Sequence, residues 1–187
     1  MASNVSICSN ALLLLGGQTI NDLDEDNDRA RLANNLFPQV RDEILRSHAW
    51  NCCIKRVILS PDVEAPLYDY AYQFTLPTDW MRTIVVGEYG YEEDYRMEGR
   101  KILSDNNILR LRYVFNNTNA GAWDASLIGV MTKAMAAHMA YAITQSSSLH
   151  QLKLQELEQA LRSARSVDGQ EEPPETLGDF RLLSSRY

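Results

Sequence analysis

Residues 108–115, Ile108-Leu109-Arg110-Leu111-Arg112-Tyr113-Val114-Phe115, alternate apolar and polar side chains through most of their length. A side-chain period of two puts Leu109, Leu111, Tyr113 and Phe115 on one face, opposite Ile108, Arg110, Arg112 and Val114. An apolar face backed by a partly charged one is the pattern of an antiparallel sheet that packs on one side and meets water on the other. Asp105-Asn106-Asn107 supplies the turn that leads into this strand. Upstream, short runs rich in β-branched and aromatic residues recur at 51–59, 70–75, 83–89, 95–97 and 101–103, separated by Pro, Gly, Asp and Asn. Residues 51–118 are therefore expected to form a small, mostly antiparallel sheet region.

On both sides of this region the period changes. Residues 5–15 read as a short apolar helix, capped by Ser3 or Asn4 and ended by Gly16-Gly17. Over 28–48, Leu32, Ala33, Leu36, Phe37, Val40 and Ile44 recur at spacings of three and four, which predicts a longer helix packed along one stripe. Pro38 interrupts it, removing the bond to the Asn34 carbonyl, and predicts a kink or a restart there. Beyond the sheet region, 123–145 is rich in Ala and Met, so neighbouring helices can approach closely. A last helix is expected over 149–167. Ser148 and Gln151 would form its capping box, Leu154, Leu157, Leu161 and Ala164 its apolar stripe, and Gly169 its end. The predicted division is a helical hairpin at 1–50, the sheet region at 51–118, a helix pair at 119–169 packing on the first helices, and an extended arm at 170–187. In the arm, the acidic linker Gln170-Glu171-Glu172-Pro173-Pro174-Glu175 precedes Leu177, Phe180, Leu182, Leu183 and Tyr187, apolar residues suited to docking on another subunit or a partner.

Composition narrows the function classes. The 187 residues suffice for one domain with a substantial core. A formal charge of −7 and a pI near 5.0 speak against general nucleic-acid binding, which requires a basic surface to neutralise phosphates. The early apolar run at 11–15 is far shorter than the roughly 18 to 20 residues of a membrane span, so no membrane anchor is expected. Three cysteines, Cys8, Cys52 and Cys53, make no even disulfide framework and fit a reducing compartment. On a strand the adjacent pair would face opposite ways.

Chemistry-bearing motifs are sparse. No phosphate-binding glycine loop, nucleophile elbow or HExxH pattern occurs, so no catalytic residue, cofactor or metal is expected. The acidic run Asp22, Asp24, Glu25, Asp26 and Asp28 lacks the glycine and closing glutamate of an EF-hand and reads better as helix-dipole complement. His48 reads as a helix-end partner, and His138 as a hydrogen-bonded core or interface residue. Glu92, Glu93 and Asp94, among Tyr89, Tyr91 and Tyr95, are the one carboxylate group on which a glycan hydrolase could be built. Arg110 with Arg112, and Lys55 with Arg56, make a weak basic patch for which cross-strand pairing with Glu88, Glu92 or Asp94 is the simpler account.

Four segments in order resemble the tail tubular protein A family of T7-like short-tailed bacteriophages, the head-to-tail adaptors: NALLLLGGQTINDLDEDNDRARLANNLF (10–37), RSHAWNCCIKR (46–56), YAYQFTLPTDWMRTI (70–84) and ILRLRYVF (108–115) before the alanine-rich helix. Together they span most of the chain; Pro38 departs from the family pattern. The resemblance implies an α+β fold, a bundle of about four helices with an inserted small antiparallel sheet region and an extended C-terminal arm. It implies a virion structural protein of the tail or neck, assembled in the host cytoplasm as a homo-oligomeric ring, a dodecamer. The ring would bind the portal protein above and the tail nozzle protein (tail tubular protein B) below, with a tail fibre as a further contact. Double-stranded DNA would pass through its channel without sequence-specific binding. Two rival readings stand beside it: a tail-associated glycan hydrolase, and a connector or completion protein of another tailed phage stacked in a different layer. Trp50 and Trp80 are expected as core aromatics rather than subunit contacts.

Overall fold

The computed structural model describes residues 2–88 and 91–171. The fold is α+β, with four helices and two antiparallel sheets among the described residues. The chain divides into a helical unit, Met1–Cys53 with Asn116–Gly169, and a sheet unit, Ile54–Phe115, inserted between the second and third helices. Of the arm expected at 170–187, Gln170 belongs to the last helix, and residues 172–187 lie outside the described residues.

The helical unit begins with α1, Asn4–Leu14. Ser3 caps it: its Oγ accepts the Ser6 N–H while the Ser6 side chain reaches back to the Ser3 N–H, a capping box with serine in both places. At the other end Gly16 adopts φ +72°, and the N–H groups of Gly16 and Gly17 donate to the carbonyls of Leu13 and Leu12. This Schellman closure requires a left-handed residue, which the first of the two glycines supplies. The acidic loop that follows is held by its own carboxylates. Glu25 accepts the N–H groups of Asn21 and Asp22 and the Asn27 side-chain amide, and Arg31 pairs with Asp26 and Asp28. Asn27 then caps α2, Asp28–Ser47, by accepting the Ala30 N–H at 2.7 Å.

α2 runs through Pro38 without the restart the proline suggested. Pro38 and Asn34 both lie on the exposed side of the helix, so the carbonyl deprived of its amide partner is next to water. Ala33, Phe37, Val40, Ile44 and Leu45 face inward and meet α3, Ala125–Thr144, where Ala134, Ala136, Ala137 and Ala140 are fully buried. These small side chains let α1 and α2 pack closely against α3, as the alanine content predicted.

α4, Ser147–Gln170, departs from expectation in three ways. Its first turn is held by Ser146, whose Oγ accepts the Leu149 N–H, instead of by Ser148. Gly169 lies within the last turn and does not end the helix. Leu154 is exposed, and the inward face instead carries Lys153, Ala164 and Asp168, with Leu157 and Leu161 half-buried. Lys153 lays its aliphatic stem inside and turns its ammonium to Glu156 at 3.0 Å.

The phase of α4 is locked at its far end. Asp168, 5 % exposed, accepts the Asn51 N–H at 3.0 Å through Oδ1, and its Oδ2 lies 3.0 Å from His48 Nε2. The Asn51 amide returns a bond to the Asp168 carbonyl at 2.8 Å. His48 is thus the C-cap residue of α2 and a partner of α4, edge-on to fully buried Trp50, whose indole N–H donates to the Ile44 carbonyl. Residues 51–53 form a 3-10 turn instead of the start of a strand, and buried Asn117 donates to the Cys52 carbonyl across the opening of the inserted unit.

The sheet unit holds a four-stranded sheet in the order β1 (Ile54–Leu59), β7 (Leu109–Phe115), β3 (Trp80–Glu88), β4 (Tyr91–Glu92), and a three-stranded sheet in the order β2 (Tyr72–Thr75), β6 (Lys101–Ser104), β5 (Arg96–Glu98). Every pairing is antiparallel. Leu109, Leu111 and Tyr113 of β7 point inward as their alternation predicted, but Val114, expected on the water-facing side, is fully buried as well. The first three join Val86, Phe74, Leu76 and Ile102 in one apolar cluster drawn from both sheets. Trp80 packs half-buried against this cluster, and its indole donates to Thr83. The Leu76-Pro77-Thr78-Asp79 turn between β2 and β3 is pinned by Arg100, which donates to the Pro77 carbonyl at 2.6 Å. It is pinned again by Asp79, which accepts from Tyr113 and Lys55 at 3.0 and 2.7 Å. Arg110 pairs with Glu88 across β7 and β3 at 3.1 Å, the cross-strand account expected for that arginine. No helix among the described residues is long and apolar enough to cross a membrane.

Candidate docking groove

The three-stranded sheet has two unlike faces. Its register places Phe74 opposite Ile102 and Ile102 opposite Met97, and Phe74 and Ile102 enter the apolar cluster. One residue along each strand, the rows Gln73–Leu103–Arg96 and Thr75–Lys101–Glu98 belong to the other face, because neighbouring residues of a strand point opposite ways. A two-residue turn, Gly99-Arg100, joins β5 to β6; Gly99 at φ +58° gives the positive first position of a type II′ hairpin and holds that register.

This second face is the floor of an open groove of about 690 Å³. Residues 64–70 form its opposite wall, with Leu67 and Tyr68 exposed and Tyr70 half-buried. Five carboxylates, those of Glu64, Asp69, Asp94, Glu98 and Asp105, line the groove against the two cations Arg96 and Lys101, a net formal charge of −3. Asp105 also accepts the Ala71 N–H at 2.9 Å, tying one end of the wall loop to the sheet. At the other end Asp62 accepts from Thr75 and pairs with Lys101 at 3.5 Å.

Gln73 occupies the middle of this floor. It is 7 % exposed, and its backbone carbonyl accepts the Asp62 N–H, yet its side-chain amide makes no hydrogen bond among the described residues and faces the groove. The amide opens onto the groove, where it can donate to and accept from a ligand. In Tyr68-Asp69-Tyr70-Ala71-Tyr72-Gln73-Phe74 the aromatic alternation announces a strand, yet nothing in it announces that a loop will fold back over Gln73.

Of the residues singled out from sequence, the structure brings only Asp94 to this groove. Glu93 is half-buried and one of its carboxylate oxygens lacks a partner among the described residues, while the side chains of Tyr89, Tyr91 and Glu92 lie outside the description. Leu177, Phe180, Leu182, Leu183 and Tyr187 likewise fall outside it. His138, expected in a core or interface, is exposed on α3, with Nε2 4.0 Å from Glu43. The acids at 22–28 are spent on loop and cap bonds, and no group of three metal-capable side chains occurs among the described residues.

A second polar feature lies in the helical unit, where the 3-10 turn brings the thiols of Cys52 and Cys53 to 3.8 Å instead of turning them apart as a strand would. The hydrogen bond from Cys53 lowers the Cys52 thiol to about 7, against the opposing effect of burial. Holding that shared proton, together with burial, pushes Cys53 well up. Cys8, buried in α1, is pushed up to about 12 by burial.

Compared with known proteins, the chain matches no protein-family model and no curated protein sequence.

Proposed function

We propose that this protein is a virion structural component, a head-to-tail adaptor that assembles as a dodecameric ring between the portal and the tail nozzle protein and surrounds the path of ejected DNA. The observation that carries the reading is the architecture: a helical unit built from Met1–Cys53 and Asn116–Gly169, with a separate antiparallel sheet unit inserted between α2 and α3. This is the arrangement that the sequence resemblance implies for adaptors. Exposed apolar side chains on the helices support it, since Leu13 and Leu14 of α1, Tyr141 of α3 and Leu152 and Leu154 of α4 leave surface that association between copies would cover. The acidic composition suits a channel through which DNA slides without sticking.

Negative-stain microscopy and sedimentation of the purified chain, alone and mixed with portal rings, test the proposal. Rings in either sample support it, and failure to associate with any portal overturns it. Truncation after Glu171 is expected to weaken portal association; unchanged affinity removes the arm from the mechanism.

A further inference from the structure

The geometry points to an acceptor site for the C-terminal arm: the acidic groove over β2, β6 and β5 binds the basic, apolar segment Phe180–Tyr187 of this chain. Three observations converge on it. The groove carries a net formal charge of −3, and the sequence Phe180-Arg181-Leu182-Leu183-Ser184-Ser185-Arg186-Tyr187 has two arginines and no acidic side chain. Opposite charges of this kind steer and orient a docking segment. Leu67 and Tyr68 stand exposed on the groove wall at 96 % and 76 %, so an incoming Phe or Leu would cover apolar surface that nothing in the sheet unit covers. Finally, the Gln73 side chain lines the floor with no hydrogen bond to the described residues, offering an oxygen to a guanidinium and an N–H to a backbone carbonyl.

The chemistry favours arginine in particular. A guanidinium spreads five donors over a plane, stacks on tyrosine faces, and can engage Glu98 or Asp94 while still reaching Gln73. A lysine ammonium is a point charge without the planar fork or the stacking face. The acidic linker Glu171-Glu172-Pro173-Pro174-Glu175 has the wrong charge for the groove, which sets the register: the distal end of the arm docks and the linker does not. The inference deepens the adaptor reading by giving the arm a destination, but it concerns this chain alone, and either can fail without the other.

Photo-crosslinking in the full-length chain tests it. With Phe180 replaced by p-benzoylphenylalanine, irradiation followed by peptide mapping is expected to join position 180 to residues 64–73 or 94–105. A product of doubled mass would show one copy's arm in another's groove, a product of single mass its own; both support the site. The yield should fall at least fivefold in the Asp94→Asn/Glu98→Gln double variant, in Arg181→Gln/Arg186→Gln, and at 1 M salt. Crosslinks confined to other segments, no crosslink, or yields indifferent to all three changes overturn the proposal. Circular dichroism of the Asp94→Asn/Glu98→Gln variant checks that these exposed substitutions leave the fold intact. Ring formation and portal binding, scored separately on the same samples, report on the adaptor reading.

Discussion

Replacing Asp168 with alanine should destabilise the helical unit far more than a helix-end acid ordinarily would. The carboxylate is 5 % exposed and serves two partners on another part of the chain, the Asn51 N–H and His48 Nε2, each at 3.0 Å. Hydrogen bonds to a charged group contribute about 1.5–3 kcal/mol each, and removing the acceptor strands a half-buried backbone N–H. The expected cost is about 3 kcal/mol, or roughly 6–12 °C in Tm for a chain of this size. Asp168→Asn keeps one acceptor oxygen for Asn51 and should lose about half as much. Urea unfolding followed by tryptophan fluorescence reads the correct unit, because Trp50 and Trp123 are buried in the helical unit while Trp80 alone reports on the sheet unit. A double-mutant cycle with His48→Ala should give a coupling of about 1 kcal/mol or more. A loss below about 0.5 kcal/mol for Asp168→Ala, or strict additivity with His48→Ala, would refute the view that this carboxylate locks α4 onto the end of α2.

Other expectations are as direct. Pro38→Ala restores an N–H for the Asn34 carbonyl on the exposed side of a continuous helix, and should raise stability by about 1–3 kcal/mol in thermal or urea melts; a decrease would mean that the proline shapes the helix productively. Alkylation of Cys52 by iodoacetamide should accelerate as pH rises through about 7, and Cys53→Ala should move that transition back toward the ordinary thiol range; a single rise near 8.5 in the parent chain would contradict the shared hydrogen bond. Tyr113 is raised to about 12, first by burial and then by its bond to Asp79. Because its folded value lies above the unfolded one of about 10, its contribution is complete below pH ~10 and disappears as pH rises toward 12. Urea midpoints measured from pH 9 to 12 should therefore fall more steeply in the parent than in Tyr113→Phe, and parallel curves would contradict this.

Much of the fold was legible because it rests on short-range physics. The alternation of Leu109, Leu111 and Tyr113 sets which side of β7 enters the core. Ser3 and Gly16-Gly17 bound α1 through bonds within a few residues, and the alanines at 134–140 anticipate close helix contacts. The misreadings share a different cause. Ser146 displaces Ser148 as the cap, and Leu154 is left outside, because the phase of α4 is set by Asp168 reaching residues 48 and 51. Cys52 and Cys53 turn together because Asn117, 65 residues on, holds the Cys52 carbonyl in a 3-10 turn. Pro38 is tolerated because its side of α2 faces water, a fact about packing that no local rule contains.

The same division separates what sequence and tertiary structure each determined about this protein. Periodicity, caps and turn residues determined a helix–sheet–helix chain with an acidic linker before an apolar, arginine-bearing end, since each depends on neighbours a few residues apart. The tertiary structure alone decided that residues 64–70 fold over the outer face of β2, β6 and β5, assembling carboxylates from positions 64 to 105 around the Gln73 side chain. A groove is made by segments distant in sequence converging in space, and the strand register that aligns Gln73, Leu103 and Arg96 exists only once the sheet has formed.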